Sequence, residues 1–257
     1  MIYTWNFSPF IIDLPYFQLR WYTLSFILSF IIGYFWLNHE SKKLKNGNGF
    51  AEYGLFILVG SIVSLARLFH VLFYKWDYYQ NNLTEIFQLQ MGGLSSHGGV
   101  IGMLVGSFIF GKFVAKKSSL WMIDKLAVPL VFGAGLIRLG NFFNQEIVGI
   151  PTNANFGIVF PKVDALPRHP AQLYEAICYI LGAVILFLFL KKQDDKPNGY
   201  AFGLGVFICF ASRFFIEFVK SPLTQVADST FLTMGQWLTI PIIAISILLI
   251  KGRFNRL

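Results

Sequence analysis

Residues 171–190 read AQLYEAICYILGAVILFLFL, an unbroken helical stretch of 20 positions in which Glu175 is the one charge. At about 1.5 Å of rise per residue such a helix is about 30 Å long, the thickness of a bilayer's hydrocarbon core. The same reading applies to six further runs, near 18–38, 52–74, 94–115, 121–143, 200–220 and 231–250. Composition agrees, because 55% of the residues are hydrophobic, 29 are Phe and only 13% are charged, whereas a soluble domain is about a quarter charged. Short polar connections join the runs, for example Asn46-Gly47-Asn48-Gly49, and no repeat or linker divides them. The fold expected is all-α: a polytopic membrane protein of seven transmembrane helices. It forms one integral membrane domain over 1–257, with outward-facing connections near 75–93 and 144–170.

The net charge of +8 does not imply nucleic acid, because the basic residues form no patch with interleaved aromatics. They mark topology instead. On one side lie Lys42, Lys43, Lys45, Lys112, Lys116, Lys117, Lys125, Lys191, Lys192, Lys196, Lys251, Arg253 and Arg256; the opposite loops carry Lys75, Lys162, Arg168 and Lys220. The richer side is cytoplasmic by the positive-inside rule, so the N-terminus is expected outside and the C-terminus inside. The first apolar run lacks a basic flank and a small-residue cleavage site, and reads as a retained helix. Cys178 and Cys209 both fall within apolar runs, which suits neither a disulfide framework nor a metal site. The four histidines, His39 and His70 among them, have no ligand spacing with carboxylates or cysteines, so no metal and no cofactor is expected.

Charges inside the spans are costly. Arg67, Arg138 and Arg213 each cost roughly 2.5–3.5 kcal/mol at a helix centre, on the order of 10 kcal/mol together if unpaired. With the orientation above, all three lie roughly 6–10 Å from the outer ends of their helices. Tyr22, His97, Arg168, His169 and Glu175 fall in the same outer layer. Glu217 stands four residues after Arg213, so those two read either as a self-neutralising pair or as part of a site. Arg138 has no carboxylate at i±4 in its own helix. Its partner must come from elsewhere, and an anionic ligand is a candidate. Arginines with few buried carboxylates in an outer leaflet suit the phosphate of a lipid headgroup.

Three segments concentrate chemistry. Gly92-Gly93-Leu94-Ser95-Ser96-His97-Gly98-Gly99 opens the third helix, where free backbone N–H groups favour an anion. His97 between glycines is a candidate general base near neutral pH, while Gly98, Gly102 and Gly106 form a small-residue packing face. Arg138-Leu139-Gly140-Asn141-Phe142-Phe143-Asn144-Gln145-Glu146-Ile147-Val148-Gly149 ends the fourth helix with more amides than a cap requires. Arg168-His169-Pro170-Ala171-Gln172-Leu173-Tyr174-Glu175 opens the fifth with Pro170 at a first-turn position. Gln172 and Glu175 share a face there, as cap and anchor or as part of a site.

On these residues the chain resembles the prolipoprotein diacylglyceryl transferases nearly end to end. The likeness includes Arg20-Trp21-Tyr22, Ala66-Arg67, Ser96-His97-Gly98-Gly99, the long asparagine-containing signature from Arg138 to Gly149, and Arg168 to Glu175. It extends to Arg213-x-x-x-Glu217 and Met234-Gly235-Gln236. The resemblance implies transfer of the diacylglyceryl group of phosphatidylglycerol to the cysteine thiol of a prolipoprotein signal peptide, forming a thioether and releasing glycerol phosphate. That reaction is the first step of lipoprotein maturation. It also implies a multi-pass protein of the bacterial inner membrane, embedded in membrane lipids, with its active site toward the outer leaflet.

By the same resemblance Arg138 and Arg213 are catalytic, His97 joins them as the candidate base from its own setting, and Tyr22, Arg138, Asn141, Glu146, Gly149 and Arg213 bind phosphatidylglycerol. Arg67, Asn144, Arg168, His169, Gln172, Tyr174, Glu175 and Glu217 support them. The sequence departs from the family pattern in having Ile137 before the signature arginine, Cys209 in place of a tyrosine, and a shorter 150–167 loop than some relatives. With Cys209 there, Tyr174, Tyr179 or a water must supply any hydroxyl that position provides. An anionic-lipid transporter or flippase is the alternative, but it calls for inverted repeats and a midplane site, and neither is visible here.

Overall fold

The computed structural model describes residues 2–43, 49–88, 93–190, 196–221 and 232–253. Outside the described residues lie Gly92, the Asn46–Asn48 connection, and Lys45, Lys191, Lys192 and Arg256 of the topology argument. Among the described residues there are eight α-helices: α1 (Trp21–Lys43), α2 (Phe50–Tyr74), the short α3 (Trp76–Tyr79), α4 (Ser96–Ile109), α5 (Ser119–Asn144), α6 (Ala171–Leu190), α7 (Tyr200–Ile216) and α8 (Met234–Ile250). Six of these segments are long and apolar enough to cross a membrane. Helix α4 reaches that length with the π-helical turn Phe110–Ala115, and α7 with the 3₁₀ turn Glu217–Val219. The seventh expected span, α8, is apolar but shorter, at 17 residues. The protein is thus a mainly helical, polytopic membrane protein.

Five short strands accompany the helices among the described residues: β1 (Ile2–Thr4), β2 (Phe10–Leu14), β3 (Phe17–Arg20), β4 (Gly157–Val159) and β5 (Pro167–Arg168). The first span therefore begins at Trp21 rather than 18, because residues 17–20 pair with β2 as an antiparallel hairpin. Strand β1 pairs in parallel with β4, which pairs antiparallel with β5.

The chain forms two compact units, Met1–Ile32 with Ala127–Leu257, and Gly33–Leu126. In the first, α7 packs on α6 and α8. A Cβ on Gly203 would stand 2.8 Å from Leu249 Cβ and 3.0 Å from Ser246 O, so only glycine permits this α7–α8 approach. Thr233 and Gln236 close a reciprocal capping box at the start of α8. The segments around β1, β4 and β5 enclose a small core of Phe142, Val148, Ile158 and Phe160, covered by Trp5 and Leu173.

In the second unit α2 and α4 pack along much of their length. A Cβ on Gly98 would strike the Leu65 carbonyl oxygen and stand 2.8 Å from Ala66 Cα; one on Gly102 would stand 2.6 Å from Ile62 Cα. The small-residue stripe is therefore a helix-packing face, as its spacing predicts. Ser95 caps α4, its side chain accepting from the Gly98 N–H, while its own N–H donates to Ala66 O at 2.9 Å. At the other end of this unit Trp36 Nε1 donates to Lys125 O at 2.7 Å, and Lys125 pairs with Glu40 at 3.1 Å.

Candidate functional site

In the first unit the end of α5, the start of α6 and the segment after α7 converge on Glu175. This carboxylate is fully buried and lies between two cations: Arg138 Nε at 2.9 Å and Lys220 Nζ at 3.0 Å. Removing such a group from water costs several kcal/mol, and only close opposite charges offset that. Arg138 thus finds a partner on another helix, a protein carboxylate. Its Nη1 donates to Asn141 Oδ1 at 3.2 Å, one helical turn on. Asn141, itself buried, turns its amide nitrogen to Glu146 Oε2 at 3.4 Å, and Asn144 reaches Glu146 Oε1 at 3.3 Å. A polar chain therefore runs from the buried Glu175 through Arg138 and Asn141 to the exposed Glu146. Arg138 Nη2 has no hydrogen-bond partner among the described residues, and the side chain keeps 18% of its exposure.

The backbone beyond α5 is held in an uncommon shape. Gln145 and Ile147 both have positive φ, 60° and 56°, a conformation costly for a β-branched residue. Side chains hold it there. Gln145 donates to Trp5 O and accepts from the Lys162 N–H, and Gln172 donates to Glu146 O at 2.6 Å. The amides following Arg138 thus shape the turn that presents Glu146.

Gly149 lies between two backbone segments. Its N–H donates to His169 O at 2.8 Å, its carbonyl accepts from Arg168 Nη1 and Ser221 Oγ, and a Cβ would stand 2.6 Å from Val219 O. With Ile150 N–H donating to Val219 O and Ser221 N–H to Val148 O, this strip fixes Lys220 beside Glu175. Arg168 also pairs with Asp164 at 2.5 Å. Hydrogen bonding to that guanidinium holds the Asp164 carboxyl below the usual carboxylate range, and the same pairing raises Arg168. His169 Nδ1 lies 3.2 Å from the Tyr174 hydroxyl. Gly149, Arg168, His169 and Tyr174 therefore form a brace around the Glu175 cluster.

Arg213 and Glu217 do not form the self-neutralising pair that their spacing allowed. Glu217 Oε2 lies 3.7 Å from Lys220 Nζ instead. Arg213 is half-buried and makes no hydrogen bond or ion pair among the described residues, although it and Arg138 both act electrostatically on Tyr179 and Lys220. Tyr22, at the start of α1, packs against Gly140 of α5 and lies within electrostatic reach of Arg138 and Glu146. In the sequence Lys220 stands out only as a loop charge. Its signal was its position three residues after Glu217, at the end of an apolar span.

The second unit holds Arg67 and His97. Arg67 is buried and donates to four backbone carbonyls of the 75–93 connection: Ile86 at 2.8 Å, Glu85 at 2.7 Å, and Gln88 and Gly93 at 3.3 Å. It also lies over the Tyr79 ring at 5.0 Å. Arg67 thus ties the connection to α2. In that connection Tyr78 donates to Glu85 at 2.6 Å, which raises the phenol above its usual range. His97 is exposed in the first turn of α4, with Nδ1 3.4 Å from the Tyr74 hydroxyl.

A family model described as prolipoprotein diacylglyceryl transferase matches residues 9–251. Three similar proteins carry the name phosphatidylglycerol–prolipoprotein diacylglyceryl transferase. That of Chloroherpeton thalassium is 39% identical over 247 residues, covering 96% of this chain and 92% of its own. That of Tolumonas auensis is 36% identical, covering 95% of each chain. That of Porphyromonas gingivalis is 38% identical, covering 96% of this chain and 93% of its own.

Proposed function

Because the chain belongs to the prolipoprotein diacylglyceryl transferase family, we infer that it transfers the diacylglyceryl group of phosphatidylglycerol to a prolipoprotein cysteine thiol, the first step of lipoprotein maturation. The observation that carries the reading within the molecule is the arginine pair of the first unit. Arg138 is pinned at Nε and Nη1 and keeps Nη2 unpaired, and Arg213 has no acceptor among the described residues. Two guanidinium groups in apolar helices with donors to spare suit a phosphodiester.

In the proposed reaction the thiol loses its proton to a base, for which His97, set between glycines at the start of α4, is the candidate. The thiolate attacks the diacylglyceryl carbon bonded to the phosphate oxygen, forming a C–S bond as the C–O bond breaks. Glycerol phosphate leaves with the bonding electrons. Charge grows on the departing phosphate, where Arg138 and Arg213 offset it; loss of one such preorganised donor typically costs about 10²–10³ in kcat. Glu175 and Asn141 hold Arg138 in place, while Tyr22 and Glu146 are assigned to the headgroup hydroxyls.

The same reading places the protein in the bacterial inner membrane, N-terminus outside and C-terminus cytoplasmic, with this chemistry toward the outer leaflet and the signal peptide of the prolipoprotein as acceptor. The test is incubation of detergent-purified protein with phosphatidylglycerol and a synthetic signal peptide, read by peptide mass. A diacylglyceryl increase that is absent with a Cys→Ser peptide and lost in Arg138→Ala is expected. No adduct from folded protein with any phospholipid would return the anionic-lipid transporter to first place.

A further inference from the structure

We propose that Tyr74 is a positioning residue for His97, accepting its Nδ1–H so that the Nε2 lone pair is the atom that receives the thiol proton. The inference rests on the transferase reading above and on geometry within the second unit. Close approach of α4 to α2 at Gly98, with the Ser95–Ala66 hydrogen bond, sets the first turn of α4 beside the last turns of α2. Tyr74, the last residue of α2, then lies 3.4 Å from His97 Nδ1. Its ring is itself supported. His70, one turn earlier, lies parallel to it with centroids 6.0 Å apart and meets Tyr79 edge-on at 6.4 Å. His70 in turn stands against Gly93, whose carbonyl Arg67 holds.

A neutral imidazole has one N–H and one lone pair. If the Tyr74 hydroxyl donated to Nδ1, the ring proton would sit on Nε2 and neither nitrogen could take a proton from the thiol. If Nδ1–H donates to Tyr74 Oη, Nε2 is left as the acceptor, and only this arrangement makes the pair a base. After transfer the imidazolium keeps its bond to Tyr74 and returns its Nε2 proton to water. Both side chains are exposed, so the hydroxyl fixes a tautomer without burying the ring away from a substrate. On the α2 side Arg67 and Lys75 act electrostatically on His70, the imidazole stacked against Tyr74.

The experiment combines kinetics with ¹⁵N imidazole spectra of the full-length protein in detergent. In the wild type the neutral His97 ring is expected to carry its proton on Nδ1. In Tyr74→Phe the proton shifts toward Nε2, and kcat falls about fivefold, the worth of one ordinary hydrogen bond, while KM for phosphatidylglycerol is unchanged. In a His97→Gln background, Tyr74→Phe is expected to have no further effect. Unchanged spectra in Tyr74→Phe, or full activity in His97→Gln, would overturn the proposal. Absence of any adduct from the wild type would sink the transferase reading instead, and the spectra would still report whether Tyr74 sets the His97 tautomer.

Discussion

Replacing Glu175 by Gln removes the one negative charge that Arg138 and Lys220 share. Both contacts are short, 2.9 and 3.0 Å, and at an effective dielectric near 20 each is worth about 5 kcal/mol of attraction, opposed by desolvation of comparable size. The net cost of orphaning buried charges is about 3–5 kcal/mol. The lower end applies here, because Arg138 keeps its bond to Asn141 and Gln can still accept from Lys220. For a chain of this length about 3 kcal/mol corresponds to a fall in Tm of roughly 6–12 °C, read from tryptophan fluorescence on heating in detergent. The double variant Glu175→Gln with Lys220→Met removes the more deeply buried cation, which Glu217 at 3.7 Å only partly neutralises, and should regain at least a third of the loss. A Glu175→Gln protein melting within about 2 °C of wild type, well inside the predicted interval, would refute the idea that this carboxylate neutralises the cluster.

Arg213→Ala should leave Tm within about 2 °C of wild type, because no described carboxylate is orphaned, yet lower transfer at least 100-fold, the usual order for a lost charge-stabilising donor. Gly98→Val drives a side chain into the α2 backbone at Leu65 and Ala66; a loss of about 1–3 kcal/mol or more is expected from chemical denaturation. Arg67→Met releases four carbonyls of the 75–93 connection, and limited proteolysis should cut there faster than in wild type. Asp164 has a depressed folded-state pKa through Arg168. Its stabilisation is therefore present above the unfolded carboxylate pKa and fades as pH falls through the lower folded value. Asp164→Asn should flatten that acid limb of a Tm-against-pH curve; an unchanged limb would assign it to other groups.

The spans were legible because apolar runs of about 20 residues have few alternatives, and α2, α5 and α6 fall within about two residues of their expected limits. The strands at the N-terminus were not, since residues 2–20 pair with one another or with 157–159, and such partners leave no local periodicity. Arg138 illustrates what spacing can and cannot give. The absence of a carboxylate in its own helix correctly required a partner from elsewhere, but not which one: Glu175 lies 37 positions away and becomes a neighbour only when α5 and α6 pack. Gly149 looked like part of a lipid-contacting signature, and its N–H and carbonyl are both used by the protein's own backbone and side chains. The i,i+4 spacing of Arg213 and Glu217 allowed a pair, yet the 3₁₀ turn Glu217–Val219 ends the helix there and Glu217 turns to Lys220.

The proposed reaction breaks the bond between diacylglycerol and phosphate and hands the carbon to a thiol. It is tested most directly by supplying phosphatidylglycerol labelled in its glycerol headgroup together with a cysteine-containing signal peptide, then counting released glycerol phosphate against thioether formed. One released glycerol phosphate is expected for each diacylglyceryl peptide, with both falling together in Arg138→Ala. Intact labelled lipid, or label moving across a proteoliposome without release, would contradict it.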